Sequence, residues 1–180
     1  MELRETTLTR QQVFAGKIFD VERRTVALPD GAEALRDVVM THHATAVVPV
    51  TEDGCVILVR QFRAGAGQEM LELPAGKNEP GEDPALCAAR ELAEETGCTA
   101  ASLRLLTGLW VSPAIVCECI SIYLATGLQE GEMHPDAGEF VAVERLPLEE
   151  ACARILTGEI TDGKTVAGLL MAREILSRGL

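Results

Sequence analysis

Four glutamates, Glu82, Glu91, Glu94 and Glu95, crowd one short segment of this chain, and the base among them is Arg90. A glycine stands at each end, Gly76 before the cluster and Gly97 after it. Like charges four apart on a helix repel, and a solvated helix usually relieves them with lysines. No lysine lies between residues 82 and 98. Unrelieved carboxylates suit a hard cation that prefers oxygen ligands, such as Mg2+ or Mn2+. Mg2+ also commonly bridges carboxylates and substrate phosphates, so the implied chemistry is metal-assisted work on a phosphorylated substrate. The bland alternative is a solvated acidic helix face. The paired glycines, Arg90 and the loop before it argue against that reading.

The acids need a scaffold. Asp83 and Pro84 read as a helix start, an N-cap followed by a proline whose missing N–H costs nothing at the first helical position. Gly97 reads as the stop. On a wheel of that helix, Leu86, Ala89, Leu92, Ala93 and Thr96 gather on one side, the expected core side. Glu91 and Glu95 stack opposite them with Glu94 close by, and Cys87 and Ala88 leave room there for a ligand.

Around this helix the chain reads as mixed α and β. An N-terminal β region runs from about Val13 to Val39, with a turn at Pro29-Asp30-Gly31. Ala44 to Val50 and Cys55 to Gln61 read as a hairpin joined by Thr51-Glu52-Asp53-Gly54. A short strand, Met70 to Leu73, runs into Pro74-Ala75-Gly76. Two strands, Leu103 to Val111 and Cys117 to Ala125, flank Ser112-Pro113. Gly127 to Gly138 reads as a mobile acidic loop, Phe140 to Arg145 as a strand, and Leu148 to Thr157 and Lys164 to Ser177 as helices. This order suits a mixed sheet between helices and disfavours a doubly wound dinucleotide fold. Neither G-x-G-x-x-G nor a Walker-type loop is present.

Length and composition narrow the function. The 180 residues suffice for one good core. A net charge of −12, with no basic patch, argues against a nucleic-acid backbone binder, and no nucleic-acid partner is expected. It leaves room for a small phosphorylated substrate, because a bound divalent cation can invert the local field. No apolar run approaches the roughly 20 residues that span a bilayer. Residues 1–12 are polar and charged, unlike a secretory leader. The six cysteines form no C-x-x-C pair and read as free thiols, so the cytoplasm is the expected compartment and no membrane partner is expected.

The segment from Gly76 resembles the Nudix box: G, five residues, E, seven residues, then R-E-U-x-E-E-x-G-U, where U is a bulky aliphatic. Gly76, Glu82, Arg90, Glu91, Leu92, Glu94, Glu95 and Gly97 match; Cys98 is apolar but not bulky. The resemblance implies an α/β fold, a Nudix-type α/β/α sandwich with a mixed β-sheet and an N-terminal β region. It also implies a division into residues 1–43, the β region serving dimerisation, and residues 44–180, the hydrolase domain. Three further features are similar to the ADP-ribose pyrophosphatase branch: Val59-Arg60-Gln61-Phe62-Arg63, Leu71-Glu72-Leu73-Pro74-Ala75-Gly76, and Pro113, about sixteen residues beyond Gly97. Ser112-Pro113 with Glu118 resembles the branch's S-P-G-x-x-x-E loop, except that Ala114 replaces the glycine.

By this resemblance, the Ala75 carbonyl, Glu91 and Glu95 ligate metal, Mg2+ or Mn2+, and Glu94 is a further ligand or a holder of coordinated water. Glu82 supports that site, and Arg90 holds the glutamates by charge-assisted hydrogen bonds. Gly76 opens the box beside the substrate. Arg63 and Arg36 grip the diphosphate or a ribose with planar forks. Glu118 faces the metals or the terminal ribose. Phe19 reads either as a core aromatic or as a platform for adenine, and Trp110 as core or interface. The general base is sought on the acidic loop, with Glu139 first and Asp136 second. His42 and His43 read as structural, and Glu72 as an acid that pairs with a basic neighbour.

The implied reaction is metal-dependent hydrolysis of the diphosphate bond of a nucleoside diphosphate sugar, ADP-ribose foremost, to AMP and ribose 5-phosphate. The rivals are a Nudix pyrophosphatase for GDP-mannose, NADH or FAD, and a sensor that binds ADP-ribose without cleaving it. The resemblance also implies a homodimer in which Arg36 and Phe19 could serve the partner's site.

Overall fold

The computed structural model describes residues 3–135, 138 and 140–179. It divides into two compact units, one comprising residues up to His43 with Trp110–Cys119, the other Ala44–Leu109 with Ile120–Leu180.

The first unit is built on strands β1 (Thr6–Ala15), β2 (Asp20–Ala27), β3 (Glu33–Met40) and the short β9 (Val116–Cys117), in that order across one sheet. β1 begins well before Val13, the expected start of the β region. Its first residues are polar and carry no hydrophobic alternation; cross-strand pairing with β2, Thr6 opposite Ala27 through Ala15 opposite Asp20, makes them a strand. All ten residues of β1 are exposed, and it is an edge strand. Arg24 and Arg36 lie directly opposite each other on β2 and β3, a repulsive pair that Glu22 and Glu5 relieve. His43 Nδ1 accepts the Cys119 backbone N–H at 3.0 Å, and its ring meets Trp110 edge-on, the structural role expected of it. Trp110 itself is half exposed and is not a core residue of its unit.

The second unit layers helices on both faces of strands. Its elements are β4 (Ala44–Pro49), β5 (Cys55–Arg63), β6 (Gln68–Glu72), β7 (Ala75–Lys77), α1 (Pro84–Thr96), β8 (Cys98–Trp110), β10 (Cys119–Glu130), β11 (Ala142–Pro147), α2 (Leu148–Leu156) and α3 (Gly163–Arg178). One sheet runs β7-β4-β10-β8 and another β11-β5-β6. The hairpin expected from β4 and β5 does not form. The chain does turn at Thr51–Gly54, but only an isolated bridge, Val50 to Val56, joins the two runs. β4 instead lies parallel to β10, Ala44 opposite Ile120, with β7 antiparallel on its other side. Every residue of β4 is buried. A strand covered on both faces belongs in the middle of a sheet, and its unbroken apolar run carries that burial but not the choice of partner.

Alternation then sorts the two cores. Ala46 and Val48 pack with Leu73, Ile122, Ala151, Leu169 and Ala172, under α2 and α3. Val47 packs with Ala88, Leu92 and Tyr123, under α1. This is the α/β/α arrangement expected. β10 continues to Glu130, into the stretch expected to be loop, and β8 starts at Cys98, five residues earlier than expected.

Candidate functional site

Helix α1 is capped as its sequence dictates. The Asp83 side chain accepts the Ala85 N–H, Pro84 occupies the first turn, and Gly97 closes the helix in the left-handed region at φ 72°. The buried side of the helix is not the expected one. Cys87, Ala88, Glu91, Leu92 and Glu95 are buried, whereas Leu86 is 66% exposed and Ala89 is exposed. The apolar wheel failed because two of the acids face inward: Glu91 and Glu95 are 7% and 2% exposed. Buried charge needs partners.

Arg90 supplies one to Glu91, and it binds Glu82 and Glu94 as well. Its Nε and Nη2 donate to Glu82 at 3.0 and 3.1 Å, Nη1 donates to Glu91 at 2.6 Å and to Glu94 at 3.0 Å, and Nη2 reaches the Lys77 carbonyl at 3.2 Å. Glu95 accepts the Ala75 N–H at 3.0 Å, which ties α1 to β7. Gly76 is pressed so closely to Glu91 that a Cβ there would run into the carboxylate. Arg90 is raised above its ordinary pKa, chiefly by its bonds to Glu82. The same bonds, with the Glu79 N–H, lower Glu82 to about 2. Cys87 is pushed up to about 11 by burial, so its thiol stays protonated beside the acids.

Four carboxylates against one guanidinium leave a local excess of negative charge on oxygen donors. Among the described residues no three acidic, thiol or imidazole side chains converge on a common point. Arg90 gathers the glutamates instead. The donor set is all hard oxygen and fits a divalent cation of the Mg2+ or Mn2+ kind.

A second polar cluster borders the first. Arg63, at the end of β5, donates Nε and Nη2 to the two oxygens of Glu72 at 2.9 and 2.8 Å. Glu72 is 1% exposed and is also bonded by Lys164. Lys164 donates to Asp162 at 2.9 Å, and Asp162 caps α3 through the N–H and hydroxyl of Thr165. The Thr165 hydroxyl in turn accepts the Leu73 N–H at 2.9 Å. Sequence reasoning gave Glu72 a basic neighbour without saying that it is Arg63, and missed Lys164, Asp162 and Thr165. Asp162 followed by Gly163, Lys164 and Thr165 is a visible helix start. Nothing local shows that its lysine meets an acid 92 residues away.

Arg36, Phe19 and Glu118 belong to the first unit. Arg36 is occupied by a two-pronged pair with Glu5, Nη2 to Oε1 at 2.6 Å and Nε to Oε2 at 3.1 Å. Phe19 is exposed against Phe14, ring centres 5.5 Å apart, and so is not a core aromatic of its unit. The Glu118 carbonyl accepts the Val111 N–H. Glu139 and Asp136, the two candidates for the base, lie outside the described residues. The acidic loop that carries them starts against α1: the His134 N–H donates to the Glu94 carbonyl at 3.1 Å, and the Gly131 carbonyl abuts Gly97.

Known proteins match both the sequence of this chain and its layered fold. Residues 40–169 match the NUDIX domain family. The chain belongs to the Nudix family. An ADP-ribose pyrophosphatase of Bacillus subtilis (strain 168) is 39% identical over 165 residues, covering 91% of this chain and 89% of the relative. A methanol dehydrogenase activator of Bacillus methanolicus is 37% identical over 164 residues, covering 90% and 89%. A crystal structure of an ADP compounds hydrolase superposes with a TM-score of 0.88 at 26% identity, covering 99% of this chain and 98% of that one. This Nudix chain is thus a hydrolase of the ADP-ribose pyrophosphatase type, in a family that generally needs a divalent metal. Among its described residues no helix is long and apolar enough to cross a membrane.

Proposed function

We propose that this chain hydrolyses the diphosphate bond of a nucleoside diphosphate sugar, with ADP-ribose as the favoured substrate. Water adds to one phosphorus, the P–O–P bridge breaks, and the products are AMP and ribose 5-phosphate. The observation that carries the reading is the set of three glutamates, Glu82, Glu91 and Glu94, drawn around Arg90 beside the Gly76 backbone, with Glu95 held to the neighbouring Ala75 N–H. The similarity to ADP-ribose pyrophosphatase supports the substrate.

Glu91, Glu95, Glu94, Glu82 and the Ala75 carbonyl are the groups we assign to Mg2+ or Mn2+, which would draw charge off the diphosphate and raise the acidity of water. Arg90 keeps three of those acids aimed together, and the Ala75 N–H holds Glu95. Arg63 presents a guanidinium to the diphosphate and stabilises the negative charge that builds on the leaving group. Glu139, with Asp136 as the alternative, takes the proton from the attacking water. The contact of His134 with Glu94 supports a base on this loop, since it starts the loop against the turn of α1 that carries the acids.

The same reading makes the protein a cytoplasmic homodimer in which residues 1–43 serve dimerisation and residues 44–180 hydrolysis. The exposed edge strand β1, with Leu8, Val13 and Phe14 uncovered, supports an interface there. Arg36, Phe19 and Glu118 are then assigned to substrate, the first two across the dimer.

The decisive experiment is release of the nucleoside monophosphate (AMP, or GMP from GDP-mannose) from a panel of ADP-ribose, GDP-mannose, NADH and FAD, with and without Mg2+ or Mn2+, for the natural chain and Glu95→Gln. Chelator-sensitive AMP release, greatest with ADP-ribose and reduced by orders of magnitude in Glu95→Gln, is expected. Preference for another diphosphate would keep the chemistry and discard the substrate. Tight binding of ADP-ribose without cleavage would make the chain a sensor.

A further inference from the structure

We propose that Lys164 is a positioning residue for substrate binding: by sharing Glu72 with Arg63, it sets the direction of the Arg63 guanidinium and leaves its charge available to a diphosphate. The inference rests on the reading above that Arg63 binds the diphosphate.

The register of β5 and β6 shows why Arg63 needs help. Glu72 lies opposite Val59, and Arg63 lies opposite Gln68. Arg63 therefore reaches Glu72 by folding back along its own strand, over Gln61, rather than by pairing straight across. A long side chain bent this way has many rotamers to lose. Its two bonds to Glu72 use Nε and Nη2, and among the described residues no bond to Nη1 is seen, which leaves that nitrogen for an incoming group. The guanidinium feels the charge of Glu72 first, and after it those of Glu95 and Asp162.

Glu72 can direct Arg63 only if Glu72 is itself held. Lys164 holds it, from a side chain that is 10% exposed and is anchored by Asp162. Asp162 and Thr165 then close a ring, because the Thr165 hydroxyl accepts the N–H of Leu73, the residue after Glu72. The first turn of α3 and the end of β6 are thereby one piece. Burial pushes the Asp162 carboxyl up, yet Lys164 and Thr165 pull it below its usual value, as a permanently ionised anchor requires.

Charge sharing is the second half of the argument. Arg63 and Lys164 face Glu72 and Asp162, two positive groups against two negative ones. With Lys164 in place, Glu72 divides its charge between two cations. Without it, Arg63 becomes the sole counter-ion of a buried carboxylate, and its attraction for a phosphate weakens.

The test is steady-state hydrolysis of ADP-ribose at saturating Mg2+ by Lys164→Met, Lys164→Arg, Asp162→Asn, Arg63→Ala and the double variant Arg63→Ala with Lys164→Met, each with a thermal melt. Lys164→Met is expected to lower kcat/KM about tenfold, chiefly through a higher KM, and Lys164→Arg to recover most of that loss. In the Arg63→Ala background Lys164→Met should add less than about twofold, because its target is gone. Full multiplication of the two losses, or an unchanged KM in Lys164→Met, overturns the proposal. Should Lys164→Met not fold, Asp162→Asn keeps the helix cap and releases Lys164, and it must raise KM in the same Arg63-dependent way. An Arg63→Ala chain with normal KM would sink the assignment of Arg63 itself, and Lys164 with it, whereas a high KM there with normal KM in Lys164→Met sinks only the role of Lys164.

Discussion

Arg90 bonds the carboxylate of its own chain neighbour, Glu91, at 2.6 Å. Adjacent residues on a helix do not face each other, so the guanidinium must curl across the helix surface to make this contact. It holds the bend because its other donors are taken by Glu82, Glu94 and the Lys77 carbonyl. One planar fork thus organises three acids, which a lysine, a point charge on a flexible stem, cannot reproduce. Arg90→Lys is expected to lower kcat by about ten- to a hundredfold while the chain still folds. Steady-state kinetics beside a thermal melt checks this, and a fully active Arg90→Lys would show that charge alone suffices.

Gly76 should tolerate no side chain. A Cβ would meet the Glu91 carboxylate, so either Glu91 leaves its place or β7 backs away from β4. Overpacking of this kind costs about 1–3 kcal/mol. Gly76→Ala is expected to lose that much in a denaturant melt and to lose at least about tenfold in turnover. Natural turnover in a destabilised variant would mean that the position of Glu91 does not matter to the reaction.

Glu82 makes the fold sensitive to acid. Its folded pKa of about 2 lies below its ordinary value of 4.5, through its bonds to Arg90 and the Glu79 N–H. A carboxyl depressed in the folded state contributes stability that is present above the unfolded value and is lost as pH falls through the folded one. In chelator, the natural chain should therefore melt higher than Glu82→Gln at pH 6, and the gap should close between about pH 4.5 and 2. A gap that stays constant over that range would show that Glu82 is not ionically held.

Gly97 ends α1 at φ 72°, and a Cβ there would sit 2.7 Å from the Gly131 carbonyl. Gly97→Ala combines a strained backbone with a clash against the start of the acidic loop. A loss of about 1–3 kcal/mol is expected in a chemical melt. Because that loop begins against the Glu94 turn, activity should fall as well, and an inactive but fully stable variant would place the loop's role in chemistry alone.

By itself the sequence determined what is local. The caps of α1, Asp83 and Gly97, act within a few residues, and so does the spacing that sets Glu91 and Glu95 one turn apart. The N-cap of α3 and the turn at Thr51–Gly54 are equally local. The order of elements followed, and with it the α/β/α layering. Tertiary structure decided the rest. The apolar run of β4 carries its burial, but parallel pairing with β10 rather than antiparallel pairing with β5 depends on which strands flank it. The inward face of α1 defied its apolar wheel, because Arg90 and the Ala75 N–H make two buried glutamates affordable where hydrophobicity alone would expose them. Glu72 meets Lys164 across 92 residues, and no periodicity reports on a bond between groups that only the packing of α3 against β6 brings together.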